Sequence, residues 1–271
     1  MSAVVEQADQ PQLPANTPGP GAPAVTKRKE RIPIGLFGIP IFVVILLGAW
    51  FIWRTTADLS EVDLRTLGWS PLGAMTWQHL KITVVGTVIV MIISIPLGVA
   101  LTRPRLRKFA GPVTAFANGG QAAPSIGLLV LLAMWLGFGF WTAIVGLGIY
   151  AILPVLRNTI TGLDGVDPTL TEAGRGMGMS GPSVLLRIEI PLAIPVIMSG
   201  VRTALVLMVG TASLATFIGA GGLGQLITTG VNLFRNSILI TGSLLIAALA
   251  LLIDWIGRLL EYIVRPKGMT R

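Results

Sequence analysis

The sequence predicts an all-α integral membrane protein with six membrane-spanning helices. Hydrophobic residues make up 53% of its 271 residues and charged residues only 12%, about half of the roughly 25% that is typical of soluble domains. The mean hydropathy is +0.79. A soluble domain could not bury so much apolar side chain, since even a chain of about 300 residues removes only about 75% of its surface from water. The composition therefore excludes an ordinary soluble enzyme, a disordered chain and a nucleic-acid-binding domain.

The composition also limits the chemistry of the chain. There is no cysteine, which excludes disulfides, Cys-zinc sites, iron–sulfur clusters and thiol nucleophiles. His79 is the single histidine, so a histidine-based metal site has almost no ligands. Because His79 is close to Trp77 at the predicted outer edge of a span, we expect it at the membrane interface. We expect no metal and no cofactor on this chain.

The N-terminal part divides into a tail and a first span. Residues 1–33 are rich in proline and glycine and end in a basic cluster, which predicts a disordered basic tail. Residues 34–53 carry no charge and would extend about 30 Å as a helix, the thickness of one bilayer core. A signal peptide is a poorer interpretation, because the run is long and no small-residue cleavage site follows it. The mixed, polar residues 54–76 predict an external loop.

Residues 77–257 predict five further spans. The segment from Phe109 to Leu156 contains no charged residue and is too long for one crossing of about 20 residues. Gly137–Phe140, flanked by Trp135 and Trp141, predicts a hairpin that divides it. The other three spans are predicted at about Leu80–Leu101, Ile194–Phe217 and Ser237–Gly257.

The distribution of basic residues orients these spans. If both termini are cytoplasmic, fifteen of the 20 basic residues lie on the inner side: in the N-terminal tail, after the second span, at Arg157 and in the loop at 158–190 that follows it, and in the tail at 258–271. This asymmetry favours cytoplasmic termini.

Several polar residues interrupt the predicted spans. Arg202 is the one charge that falls near or within the fifth span, where it is either part of an inner gate or reaches the cytoplasmic interface. Asp254 and Arg258 are spaced four residues apart and predict a pair on one helix. The remaining candidates for the solute path or its gate are Asn118 and Gln121 in the third span and Thr211, Ser213 and Thr216 in the fifth. The alternatives are a join between two helices for the first two and hydroxyl bonds to the backbone for the others.

The most informative segment is the loop at 158–190. Asp167 suits an N-cap and Pro168 a first helical turn, which predicts a short helix over 168–177 with Glu172 early in it, near the positive end of the helix dipole. Glycines end this helix, and a second one starts at Ser180. The small residues Ala173, Gly174 and Gly178 would let a partner backbone approach closely, so the pair of helices predicts a docking element.

The same loop carries a specific family resemblance. Glu172-Ala173-Gly174, Gly178 and Ile188-Glu189-Ile190-Pro191 resemble the Glu-Ala-Ala, Gly, Ile-x-Leu-Pro pattern of permease subunits of binding-protein-dependent ABC importers, with the spacing intact. Gly174 and Ile190 replace the usual Ala and Leu. The resemblance implies a type I ABC importer permease fold with cytoplasmic coupling helices, in a bacterial inner membrane. It implies that Glu172, Ala173, Gly174 and Gly178 contact the ATPase.

Further segments resemble the osmoprotectant branch of that family. These are Leu153–Asp167, Pro191–Ala204 and Ala215–Ile227. The branch implies a solute such as glycine betaine, choline, carnitine or proline betaine, with methionine or sulfonate permeases as the alternative. The implied partners are ATPase subunits, a second permease and an external solute-binding protein.

The sequence predicts that the chain is not itself an enzyme. It has no Gly-Lys dipeptide and so no P-loop lysine, which places ATP and Mg on a separate subunit. A stand-alone channel or secondary transporter is the competing class, and it would need coupling acids that the spans lack. Gly219–Gly224 matches G-x-G-x-x-G, but it follows a membrane span, so a tight loop between spans five and six is the better interpretation.

Overall fold

The chain folds as a bundle of membrane-length α-helices. A computed structural model describes residues 35–264, so the tail at 1–33 and the end of the tail at 258–271 lie outside the described residues. Within 35–264, five helices are long and apolar enough to cross a membrane, and a bent pair makes a sixth when counted as one span. The all-α, six-span prediction is confirmed.

Eleven α-helices occur in the described part of the chain. In order they are α1 (Gly35–Thr56), α2 (Glu61–Thr66), α3 (Trp69–Leu101), α4 (Ala110–Ala122), α5 (Ser125–Leu136), α6 (Phe140–Asp164), α7 (Pro168–Gly176), α8 (Gly181–Val184), α9 (Ile190–Ala212), α10 (Gly224–Asn232) and α11 (Asn236–Val264). Short 3₁₀ segments precede α4 and follow α9, and one π-helical turn, Leu185–Glu189, joins α8 to α9.

The second span is longer than its apolar run predicts. Helix α3 begins at Trp69, so the predicted external loop at 54–76 is partly helical. Pro71 falls in the first turn of α3, where a missing N–H costs nothing. The helix continues through Gln78 and His79 because both find partners inside the protein. The Gln78 side-chain oxygen accepts from the Gly222 N–H at 3.1 Å.

The third span is bent at a proline. Helices α4 and α5 meet at 97°, and Ala123 between them is extended, the conformation that a following proline imposes. The break is at Pro124, so Asn118 and Gln121 are helical residues of α4. Gly137 and Gly139 then take φ of 86° and 127° and form the predicted hairpin into α6.

Helices α3, α6 and α9 form the centre of the bundle. Gly200 on α9 lies so close to α6 that a Cβ there would be 2.7 Å from the Pro154 carbonyl oxygen. Gly162 on α6 comes similarly close to Ala193, and Gly98 on α3 to Thr159. Small residues at these contacts let backbones approach, which is how helices gain packing energy in lipid.

His79 is part of this centre, and the prediction that it lies at the interface is wrong. Its side chain is fully buried because α3 turns it towards α9, where Nε2 is 2.9 Å from the Val209 carbonyl oxygen. Gly222, in the loop Gly219–Gly224, covers the other side of the ring. That loop is tight, as predicted, with positive φ at three of its glycines.

Asp63 on α2 ties the segment between α1 and α3 to α11. It accepts hydrogen bonds from Ser237 at 2.8 Å and from Ser60 at 2.9 Å, and Arg235 lies 3.9 Å away. Burial works to raise the pKa of Asp63, but the hydrogen bonds from Ser237 and Ser60 and the charge of Arg235 outweigh it and hold the pKa below its usual range.

Replacing His79 with leucine is expected to lower the free energy of unfolding by about 1–3 kcal/mol, because the buried Val209 carbonyl would lose its donor. Thermal denaturation of the purified protein in detergent measures this. His79→Gln, which keeps a side-chain N–H donor, should lose less. A leucine variant as stable as the original chain would contradict the anchoring role.

Candidate docking site

The two short helices predicted between spans four and five are present as α7 and α8, followed by the π-helical turn. We call these three segments the docking element, after the role that the sequence predicts for them. Asp167 caps α7, as predicted: its Oδ1 accepts the Thr169 N–H at 2.9 Å and the Thr169 hydroxyl at 2.8 Å. These bonds lower the pKa of the Asp167 carboxyl. Pro168 occupies the first turn, so the N-terminus of the element is fixed by two adjacent residues.

A Schellman motif ends α7. Gly178 has φ of 84°, a conformation that costs a residue with a Cβ about 1–2 kcal/mol. The Met179 N–H donates to the Gly174 carbonyl at 3.1 Å, and the Gly178 N–H donates to the Arg175 carbonyl at 2.9 Å. This is the paired hydrogen-bond pattern of the motif. Gly178 is therefore needed for the turn that sends the chain back towards α9.

Gly174 is needed for packing inside the element. It is buried, and a Cβ there would be 2.6 Å from Ile188 Cδ1 and 3.5 Å from Val184 Cγ2. Its missing side chain lets α7 lie against α8 and the π-helical turn. The prediction that Gly174 opens the surface to a partner backbone is wrong in this respect, because that face of the helix is already covered by the chain itself.

Glu172 and Ala173, by contrast, are exposed. Glu172 is the fifth residue of α7, and the first turn holds no acidic residue, so the predicted position near the positive helix end is wrong. Met177 at the end of α7 is 77% exposed and Leu170 is 46% exposed. We call Leu170, Glu172, Ala173 and Met177 the docking face. It combines one carboxylate with exposed apolar side chains, a mixture suited to a protein surface.

Two ion pairs that the sequence did not predict lie at the base of the element, where it joins α6 and α9. Arg103 contacts Glu189 through both terminal guanidinium nitrogens, with Nη1 3.3 Å from Oε1 and Nη2 against Oε2. Arg107 Nη2 is 3.5 Å from Asp164 Oδ1. The one available signal was Glu189 itself, a lone acid at the end of an apolar run. Its partner was hidden among four neighbouring basic residues.

Arg202 joins α9 to α11. Its Nε lies 2.6 Å from Asp254 Oδ1, and its Nη1 lies 3.6 Å from Glu261. Arg258 pairs with Asp254 at 2.9 Å, which confirms the predicted pair on one helix. A groove of about 470 Å³ beside these residues is lined by α9 and α11. Arg202 is therefore neutralised within the chain, which reduces the cost of its position.

The other candidate path residues remain apart in a single chain. Gln121 donates to the Tyr150 carbonyl at 3.0 Å, and Asn118 is exposed on α4. Thr211 and Ser213 donate to their own helix backbone, to Leu207 and Gly210. Thr216 is half-buried. Within residues 35–264 no hydrogen bond or ion pair joins these positions, so a path that uses them needs a second surface.

Comparison with known proteins supports the same assignment. Residues 94–265 match the family "Binding-protein-dependent transport system inner membrane component". The chain is 45% identical over 194 residues to the glycine betaine/carnitine/choline transport system permease protein OpuCB of Bacillus subtilis, which covers 72% of this chain and 88% of that protein. It is 39% identical over 203 residues to the osmoprotectant import permease protein OsmW of Salmonella typhimurium, covering 73% and 94% respectively.

A solved structure shares the fold. The MetNI methionine ABC transporter in an inward-facing conformation aligns with a TM-score of 0.66 and 27% identity, over 77% of this chain and 100% of that one. The family match covers most of the chain and includes the docking element, the last turns of α3 and the whole of α6 and α9. The chain therefore belongs to the family of inner membrane permease components of binding-protein-dependent ABC importers.

Proposed function

We infer that this permease carries a compact osmoprotectant, such as glycine betaine, choline or carnitine, across a bacterial inner membrane. The observation that carries the solute class is the identity of 39–45% to permeases named for these solutes in Bacillus and Salmonella. The low charge of the spans agrees with it. Fixed charges at membrane depth are expensive, and a path without them would bind a zwitterion weakly enough to release it.

The docking face is the contact for a separate ATPase in this proposal. Glu172 and Ala173 are presented to the partner, while Gly174 and Gly178 keep the element in shape. ATP and Mg are held by the ATPase, and this chain makes and breaks no covalent bond. Closure of the ATPase pushes on α7, and the push reaches the membrane through α6 and α9, which hold the two ends of the element.

The complete importer contains two permeases and an external binding protein. The solute path runs between the permeases, which supplies the second surface that Asn118, Gln121, Thr211, Ser213 and Thr216 lack in one chain. The binding protein delivers the solute and supplies the aromatic side chains that hold a quaternary ammonium group by cation–π attraction. Both termini and α7 face the cytoplasm, in accordance with the excess of basic residues on that side.

Replacing Glu172 with lysine is expected to reduce ATP-driven uptake by at least about tenfold, because a reversed charge on the docking face opposes the ATPase contact. Uptake by cells that carry the variant transporter measures this, with membrane insertion checked by immunoblot. Glu61→Lys is the matched control: Glu61 is exposed at 89% of its side chain on α2 and should leave uptake unchanged. Normal transport by the Glu172 variant would contradict the docking role.

Competition measurements test the solute class. Uptake of labelled glycine betaine should fall when unlabelled choline or carnitine is in large excess, because these solutes share the quaternary ammonium group, and should not fall with methionine. Cells carrying the Glu172→Lys variant provide the background. Competition by methionine alone would assign the permease to the methionine type.

A further inference from the structure

The two ion pairs at the base of the docking element involve one short segment. Residues 102–109 follow α3 directly and include both Arg103 and Arg107. Asp164 is the last residue of α6, where the chain enters the element, and Glu189 is the last residue of the π-helical turn, where the chain leaves it. We call residues 102–109 the clamp, because it contacts both ends of the element.

The pair with Glu189 is partly buried and bidentate. The Glu189 side chain is only 10% exposed and that of Arg103 is 35% exposed. The guanidinium also points Nε at the Val99 carbonyl, 3.4 Å away near the end of α3. Two parallel N–H···O bonds fix direction as well as distance. A buried carboxylate without its partner would be strongly unfavourable, so the end of α3 and the start of α9 are held together.

The pair with Asp164 lies at the entry to a loosely packed helix. Arg107 begins the 3₁₀ segment Arg107–Phe109, which leads without interruption into α4. Helix α4 buries none of its residues within Ala110–Ala122, all of which the structure describes. Side-chain bonds hold its two ends: the Arg107–Asp164 ion pair at the start, and at the bend the bonds from Gln121 to the Tyr150 carbonyl and from the Tyr150 hydroxyl to the Ala123 carbonyl.

The π-helical turn is the place where movement of the docking element can reach the clamp. A π-helical turn is a local departure from the α-helical register, of the kind often found at functional sites. It lies between the docking element and α9 and contains Glu189 at its end. A displacement of α7 and α8 reaches Glu189 through this turn, and the Arg103–Glu189 pair then transfers it to α3 and the clamp.

We propose that Arg103 and Arg107 are positioning residues that transmit movement of the docking element to α4 and hence to the bent span α4–α5. The clamp makes this span follow the ATPase, so that opening of the path and ATP hydrolysis stay in step. This inference rests on the proposed function. It adds a second route for the movement, beside the direct attachment of the element to α6 and α9.

The test compares ATP hydrolysis with solute uptake in the assembled transporter. The tagged chain is purified with its partner subunits and reconstituted in liposomes, and the ratio of labelled glycine betaine transported to ATP hydrolysed is measured. Arg103→Gln should keep ATP hydrolysis and lower this ratio by about tenfold. The charge exchange Arg103→Glu with Glu189→Arg should restore more than half of it. Arg107→Gln should lower the ratio by a smaller factor, since that pair is more exposed.

Arg105→Gln is the matched control. Arg105 lies in the same segment, is exposed and makes no ion pair within residues 35–264, so the ratio should not change. A normal ratio for Arg103→Gln would overturn the proposal. If Arg103→Gln prevents assembly and the charge exchange restores assembly but not the ratio, the pair acts only in folding, which also overturns it. Absence of ATP-driven uptake by the unaltered chain would instead reject the proposed function.

Discussion

The close approach of α6 and α9 is the constraint on which the rest of the structure depends. Gly200 on α9 packs against the α6 backbone at Pro154, and Gly162 on α6 packs against the α9 backbone at Ala193. The two helices therefore behave as one unit along their shared length. The docking element is an insertion between them, leaving at Asp164 and returning at Glu189. A force on α7 therefore reaches the centre of the membrane bundle without crossing a flexible linker.

The docking element contains two groups of residues: those that determine its shape and those that are exposed on its surface. Gly174 is covered by Val184 and Ile188, and Gly178 supplies the positive φ of the helix end. Glu172 and Ala173 remain exposed. A short sequence pattern thus contains two kinds of requirement: the glycines are fixed by the fold of this chain alone, whereas in the proposed function the exposed residues are fixed by contact with the ATPase.

The sequence predicts the number and type of the helices well, because each crossing needs a long uncharged run and each turn between crossings is marked by glycine, proline or tryptophan. It also predicts the N-cap at Asp167 and the turn at Gly178. The limits of the spans are predicted less well. Polar residues such as His79 suggest a helix end, yet His79 is buried against Val209, a partner 130 residues away that no local pattern reveals.

Side-chain pairing between distant segments is what the sequence could not supply. Arg103 and Glu189 are separated by 86 positions, and Arg202 pairs with Asp254 on another helix. Each of these charges, considered alone, suggests either a solvent-facing residue or a functional site. Their partners show that these charges connect helices. The Arg103–Glu189 pair in particular holds the docking element to the bundle.

The most direct test of the account is the accessibility of the docking face. Because the chain has no cysteine, Ala173→Cys creates a single reactive site, and Phe234→Cys, at a residue that is 93% exposed at the opposite end of α9 and α11, provides the control. A membrane-impermeant maleimide should label position 173 only in inside-out vesicles and less when the ATPase is bound, and position 234 only in intact cells or spheroplasts. Labelling of position 173 from outside intact cells would contradict the account.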